Sequence, residues 1–393
     1  MRKVIITDLL ILAVFGSTCF WSVKKDRLTA LVDKILTEQT SEDEEILVLT
    51  SSNLSKKNGQ ISETQMSENA DKASEENTTK DYIKWVDFTV SKFALTESYE
   101  YDRDTYGTDQ HISWIDLLAW TAAHTGGKFG DDRTVCKCME ELEMEAEAGK
   151  KLEELTEDLE YFPYYREVYE TVLGGMVGEY EIEEPDAQGR KVTQKRYGLK
   201  AFHPIAKGFP YTDYDDFGAS RSYGYRREHL GHDMMGQVGT PVVCVESGYV
   251  EALGWNQYGG WRIGIRSFDK KRYYYYAHLR QGFPYQPELK EGSVVLAGDV
   301  IGYMGHTGYS TKEDVNNIDQ THLHVGMQLI FDESQKDSDN EIWIDCYQIM
   351  GFLYRNQSET ARNDETKEWR RIYEMKDPAA EKYERTLDFS MYP

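Results

Sequence analysis

Apolar and polar positions follow different periods in successive parts of the chain. Val4–Val23 is almost continuously apolar, through Ile5, Ile6, the run Leu9–Val14, Phe15, Phe20 and Trp21. About 20 apolar residues span the hydrocarbon core of a bilayer. Asp8 interrupts the run near one end, where a charge costs less than at the centre. The pattern predicts a membrane helix within residues 1–25, as an uncleaved signal anchor or a signal peptide. No small-residue cleavage site follows the run, which favours the anchor. Lys3 on one side and Lys24, Lys25 and Arg27 on the other leave its orientation open.

Residues 26–80 turn polar. After a possible helical extension, Ser, Thr, Glu, Asn and Lys dominate, and only Ile46–Leu49 breaks the run. Too little apolar surface is available to offset chain ordering, so a disordered linker is expected. Residues 81–181 show helical spacing. Trp114, Leu117 and Leu118 form a stripe that ends at Gly126-Gly127. Cys138–Leu159 is rich in strong helix formers, and Tyr161–Leu173 runs into Gly174-Gly175. Such a stripe is first of all a packed core; docking of a protein partner is the alternative.

From Ile182 the runs become short, β-branched or aromatic: Lys191–Thr193, Pro241–Val245, Gly248–Ala252, Trp261–Arg266 and Arg272–Ala277. Gly-rich turns separate them, as in a compact antiparallel β domain. The expected class is α+β, with an N-terminal membrane helix, a helical middle domain (81–181), an antiparallel β-rich domain (195–350) and a C-terminal tail (351–393).

Composition narrows the function. The 69 acidic and 45 basic residues give a net charge of -24. Nucleic acid is excluded as a partner, since phosphate binding needs clustered Lys and Arg. The 28 tyrosines are mainly strand residues on this reading. The five cysteines match no zinc-finger spacing, and no disulfide is assigned.

The chemistry lies in the histidines of the β domain. His229 and Asp233 stand four apart around Gly231, so one turn could aim both at a single ion. Catalytic zinc takes three protein ligands and keeps a fourth position for water. His324 would supply the third ligand. His322 lies on the same face of an extended strand, because side chains alternate with period two. Only one of that pair is needed as a ligand, and the other could act as a base or electrostatic stabiliser. Each piece alone is equally consistent with a structural histidine.

The ordered set is specific. Phe217–Arg221 followed by His229-Leu230-Gly231-His232-Asp233, then Gly239–Val243 and Ser247–Val250, Tyr276-Ala277-His278-Leu279, Val295–Gly302 with Gly305–Gly308, and His322-Leu323-His324 occur in this order. Residues 195–350 thereby resemble the lysostaphin-type (LytM-like) zinc metallopeptidases, which are peptidoglycan endopeptidases. The resemblance implies that His229, Asp233 and His324 bind one Zn²⁺, and that His278 and His322 flank the activated water and the tetrahedral intermediate. It implies hydrolysis of peptide bonds in peptidoglycan stem peptides or cross-bridges, in cell-wall remodelling. Two features depart from the family pattern. His232 and His306 stand where other residues are usual, and Tyr309–Thr321 is an insertion beside the cleft. With the N-terminal helix, the expected location is the cell membrane, single-pass, with the catalytic domain outside; cleavage would make the protein secreted. Two other functions fit less of the pattern: a non-catalytic scaffold that binds peptidoglycan or a partner at the cell surface, as in spore formation, and a protease of proteins.

Overall fold

The computed structural model describes residue 86 and residues 88–390, apart from 224, 337 and 339. The predicted membrane helix and linker lie outside the described residues. Among the described residues no helix is long and apolar enough to cross a membrane. The described residues form one compact unit of helices and antiparallel strands.

The helical part opens with α1 (Lys92–Thr105), whose N-cap Ser91 accepts the Ala94 N–H. α2 (Trp114–Thr125) is capped by Ser113 and stops at Gly126 in the left-handed region (φ 61°). Leu117, Leu118, Ala119 and Ala122 of α2 are fully buried, so the predicted stripe is core. The run expected from Cys138 starts earlier, as α3 (Asp132–Glu147), because Asp131 caps it. It breaks at Gly149 before the single turn α4 (Leu152–Thr156). α5 (Phe162–Leu173) follows.

Strand structure begins at Val177, before the expected boundary at Ile182. β1 (Val177–Pro185) pairs antiparallel with β2 (Lys191–Leu199). β3 (Thr212–Asp213), the hairpin of β4 (Ser220–Tyr223) and β5 (Tyr225–Glu228), β6 (His232–Met235), β7 (Pro241–Val243), β8 (Gly248–Asn256), β9 (Gly260–Ser267), β10 (Arg272–Ala277), β11 (Val294–Val295), β12 (Val300–Tyr303), β13 (His322–Leu329) and β14 (Ile342–Ile344) complete the β domain. Its main sheet runs β11-β8-β9-β10-β13-β6-β3, and β14 takes over the edge of β13 where β6 ends. β7 and β12 form a separate pair.

The two faces of the main sheet differ because side chains alternate. Val250, Ile263, Ile265, Tyr274, Tyr276, Leu323, Val325 and Met327 point inward and are fully buried. They belong to the same apolar cluster as α2 and α5. One polar device crosses this interior. Arg272 donates to both carboxylate oxygens of Glu246 (2.8 and 2.9 Å) and to the Thr171 carbonyl of α5 (2.6 Å). Tyr274 adds a hydrogen bond to Glu246 at 2.7 Å. A buried charge is tolerable only when fully paired in this way.

α6 (Tyr347–Leu353) packs back against α1, with Tyr99 and Phe352 edge to face at 5.7 Å. Beyond it come β15 (Thr360–Arg362), paired with β16 (Trp369–Arg371), then β17 (Met375–Lys376) and α7 (Pro378–Ser390). β17 pairs with the outer edge of β1, and Tyr383 of α7 stacks on Tyr249 at 5.3 Å.

Candidate active site

Strand register builds the site. On β13, His324 faces Asp233 of β6 on one side and Ala277 of β10 on the other. His322 is two residues earlier on the same face, as the period-two argument requires. His278, the first residue after β10, turns out of the strand with φ 59°. That conformation is costly for a non-glycine residue. It is held from both sides: His278 N–H donates to the Gly259 carbonyl (2.7 Å), and its carbonyl accepts from Gly305 (3.0 Å). His229 follows β5, and Gly231 bridges it to Asp233. A Cβ at Gly231 would lie 2.5 Å from the His324 ring, so only glycine lets the turn close over that histidine.

The three predicted ligands converge. His229 Nε2 lies 3.0 Å from Asp233 Oδ1 and 3.0 Å from His324 Nδ1, and His324 Nδ1 lies 2.9 Å from Asp233 Oδ1. The His229 Nδ1–H donates to the Asp216 carbonyl at 3.2 Å, which leaves the lone pair of Nε2 facing the other two atoms. Two imidazole nitrogens and a carboxylate oxygen gathered at one point are a donor set that a cation satisfies together, and it is the set zinc favours. Burial pushes the Asp233 carboxyl up, but its close contacts with His229 and His324 and the charges of His324 and His322 outweigh it and hold it well below the usual range. For His229 burial acts downward, and Asp233 and Asp216 overcome it to raise the imidazole.

His278 and His322 stand beside this trio with ring centroids 4.7 Å apart. Each spends one nitrogen on a backbone carbonyl: His278 Nδ1 on Thr307 (2.9 Å) and His322 Nδ1 on Gln320 (2.8 Å). Their Nε2 atoms are left for the cleft, and His322 Nε2 is 3.7 Å from Asp233 Oδ1. Burial, then the neighbouring His322 and His324, pull His278 well below the usual histidine range, so its ring is neutral at physiological pH. His232 turns to the opposite side and pairs with Asp213 at 2.9 Å. His306 binds the Ile318 carbonyl at 2.8 Å.

The sequence reading missed the supports of this cluster. Asp216 orients His229 through its backbone carbonyl and its Oδ2 (3.3 Å), and Arg221 bonds Asp216 and reaches Asp233 Oδ2 at 3.5 Å. Asp213-Tyr214-Asp215-Asp216 reads as a solvated acidic run, and no local pattern marks Asp216 out. The insertion folds down on the start of β9 and on the loop after β10. Asp314 accepts from Trp261 Nε1 and Gly282 N–H, both at 2.8 Å, while Tyr309 faces the site. Above the sheet lies a cleft of about 520 Å³, lined by the five site residues and by Tyr258, Tyr273, Tyr275 and Tyr309.

Residues 227–338 match the model of Peptidase family M23. The chain carries a peptidase family M23 domain. Over 124 residues it is 42% identical to the L-Ala--D-Glu endopeptidase of Bacillus subtilis (strain 168), covering 32% of this chain and 36% of that one. It is 39% identical over 84 residues to lysostaphin of Staphylococcus simulans, 21% of this chain and 16% of the relative. The chain thus spans about a third or less of the length of these relatives. Among solved structures, the catalytic domain of lysostaphin from Staphylococcus simulans aligns with 36% of this chain and 92% of its own, at 29% identity and a TM-score of 0.29. A zinc containing peptidase from Vibrio cholerae aligns with 37% of this chain and 42% of its own, at 23% identity and a TM-score of 0.26. The M23 domain is zinc-dependent, and the His229, Asp233 and His324 donor set fits that ion.

Proposed function

We propose that this protein is a zinc endopeptidase that hydrolyses peptide bonds of bacterial peptidoglycan, in stem peptides or cross-bridges, during wall remodelling. The convergence of His229, Asp233 and His324 under two further histidines carries this reading. The name of one relative, L-Ala--D-Glu endopeptidase, supports a substrate peptide that contains a D-residue, as peptidoglycan stem peptides do.

Zinc, when bound, supplies an activated water and polarises the scissile carbonyl. The remaining work falls to this chain. Asp216 fixes the tautomer of His229 through the Nδ1–H bond. His322, its Nδ1–H committed to Gln320, has a basic Nε2 that accepts the proton of the attacking water and returns it to the leaving amine. His278 is held neutral with its Nδ1–H on the Thr307 carbonyl, so its Nε2 accepts a hydrogen bond from the attacking water, and His322, once protonated, stabilises charge developing on the carbonyl oxygen. The cleft on the open face of the sheet accepts an extended peptide. The apolar run Val4–Val23 would tether the domain outside the cell membrane, with residues 26–80 as a spacer.

The test is mass spectrometry of muropeptides released from purified peptidoglycan, with and without a chelator and after zinc is restored. Release of new amino termini that the chelator abolishes is expected. Wall material left uncut by the zinc-loaded chain would remove the proposal.

A further inference from the structure

The cleft contains cations that the zinc site does not use. In a chain of net charge -24, Arg227 and Arg262 both line it. Arg227 is held between the rings of Tyr258 and Tyr309, 5.1 Å from each centroid, and donates through Nη2 to the Tyr309 hydroxyl at 2.7 Å. Its Nη1 is buried and meets no hydrogen-bond partner among the described residues. The same is true of Arg262 Nη1. Among the described residues no carboxylate lies within ion-pair distance of either guanidinium, although acidic residues outnumber basic ones in the chain. A buried charged donor without a partner is costly, and stacking on tyrosines accounts for the position of Arg227 but not for its idle nitrogen.

The register places these groups relative to the chemistry. Asp233, His324 and Ala277 are cross-strand neighbours on β6, β13 and β10. Continuing the β9–β10 register by one residue sets Arg262 opposite Ala277, and Gly254 of β8 lies beyond it. The metal-binding row therefore runs straight across the sheet to Arg262, with only the small side chain of Ala277 between. Strands are spaced ~4.8 Å apart, so two strands put Arg262 roughly 10 Å from His324, the length of about three extended residues. Arg227, from the hairpin, lines the same cleft. Burial raises the Tyr275 phenol, and the guanidiniums of Arg262 and Arg227 both oppose that shift, so both act on one hydroxyl.

We propose that Arg227 and Arg262 form a carboxylate-binding subsite that selects a substrate peptide carrying a free carboxylate within about three residues of the scissile bond. Two guanidiniums approaching from different elements can each give a charge-assisted hydrogen bond to one carboxylate. The inference rests on the peptidase reading of the cleft and names its substrate class as an acidic peptide. It assigns no role in the bond-breaking step to either arginine.

The experiment measures binding, so that it does not depend on turnover. The full zinc-loaded chain, with His322→Ala to prevent hydrolysis, is titrated calorimetrically with a pair of N-acetylated, C-terminally amidated tripeptides. They differ only in a central glutamate side chain, free in one and carboxamide in the other. The acid should bind about tenfold more tightly, or ~1.4 kcal/mol. Arg262→Gln or Arg227→Gln should level the two affinities, and Arg262→Lys should keep part of the preference. Equal affinity for both peptides, absence of binding by either, or a preference that survives Arg262→Gln would overturn the proposal. Inorganic phosphate displacing the acid peptide more strongly than acetate does would also overturn it, since the site would then serve phosphate. If the acid preference holds but peptidoglycan is not cut, the subsite stands and the proposed function fails.

Discussion

Arg272 and Arg262 lie on neighbouring strands of one sheet and have opposite environments. Arg272, on the inner face, is 1% exposed and has partners in Glu246, Asp269 and the Thr171 carbonyl. Arg262, on the cleft face, has a buried nitrogen with no partner. The inner face is closed: its polar groups satisfy one another and fix the helices to the sheet. The open face is left unfinished, with ligand atoms crowded together, imidazole nitrogens turned to the cleft and arginines without counter-ions. The same β10 backbone serves both faces, because alternate residues look opposite ways. Stability and chemistry are thus separated by about the thickness of one strand layer, and each can be disturbed without the other.

The largest effect should come from the ligand trio. His229→Ala should lose stoichiometric zinc by elemental analysis and lower peptidoglycan hydrolysis by about 10³-fold or more, while the far-ultraviolet spectrum is unchanged. A fully active variant would break the division between the faces. Next, His322→Ala should keep its zinc but lose about 10²–10⁴ in kcat. Loss of metal in that variant would make His322 a ligand and merge the two histidine roles. On the closed face the order reverses. Glu246→Ala should leave the zinc content of folded protein intact and destabilise the fold by ~3–5 kcal/mol in urea denaturation, since Arg272 would lose its main partner.

The smallest effect sharpens the comparison through pH. His203 is fully buried away from the cleft, and burial lowers its pKa to about 4. Its Nδ1 accepts the Ile205 N–H at 3.1 Å, and the Ile205 carbonyl, 3.2 Å from the same nitrogen, only partly offsets the cost of burying a charged ring. An unfolded histidine titrates near 6.5, so the unfolded chain binds more protons between pH 6.5 and 4. The contribution is complete above pH 6.5 and is lost as pH falls toward 4, by about 3 kcal/mol at most. Denaturation at pH 7 and pH 5 should show this slope, and His203→Gln should flatten it.

Some of this organisation was legible in the chain itself. His322-x-His324 announced a shared face through strand period alone, and His229-x-Gly-x-Asp233 announced a turn. Gly126-Gly127 and Gly174-Gly175 marked helix ends. What failed was information carried by register and by capping. Nothing near Arg262 in sequence says that its strand lies two places from His324. Asp216 acts through its backbone carbonyl, which every residue has. Asp131 moved the start of α3 because a single capping side chain outweighs average propensity.

The pairing of β17 with β1 has a consequence for synthesis. Ile182 meets Met375, a partner about 190 residues later in the chain. At ~5–20 residues per second, β1 waits roughly 10–40 s for that partner to be made. During that interval one edge of the β1–β2 hairpin is uncovered, a template for pairing with other chains. Glu181, Glu183 and Glu184 along β1 pair with Lys195, Lys191 and Arg196 of β2, so the waiting hairpin is lined with charged side chains, which disfavour pairing with a foreign strand.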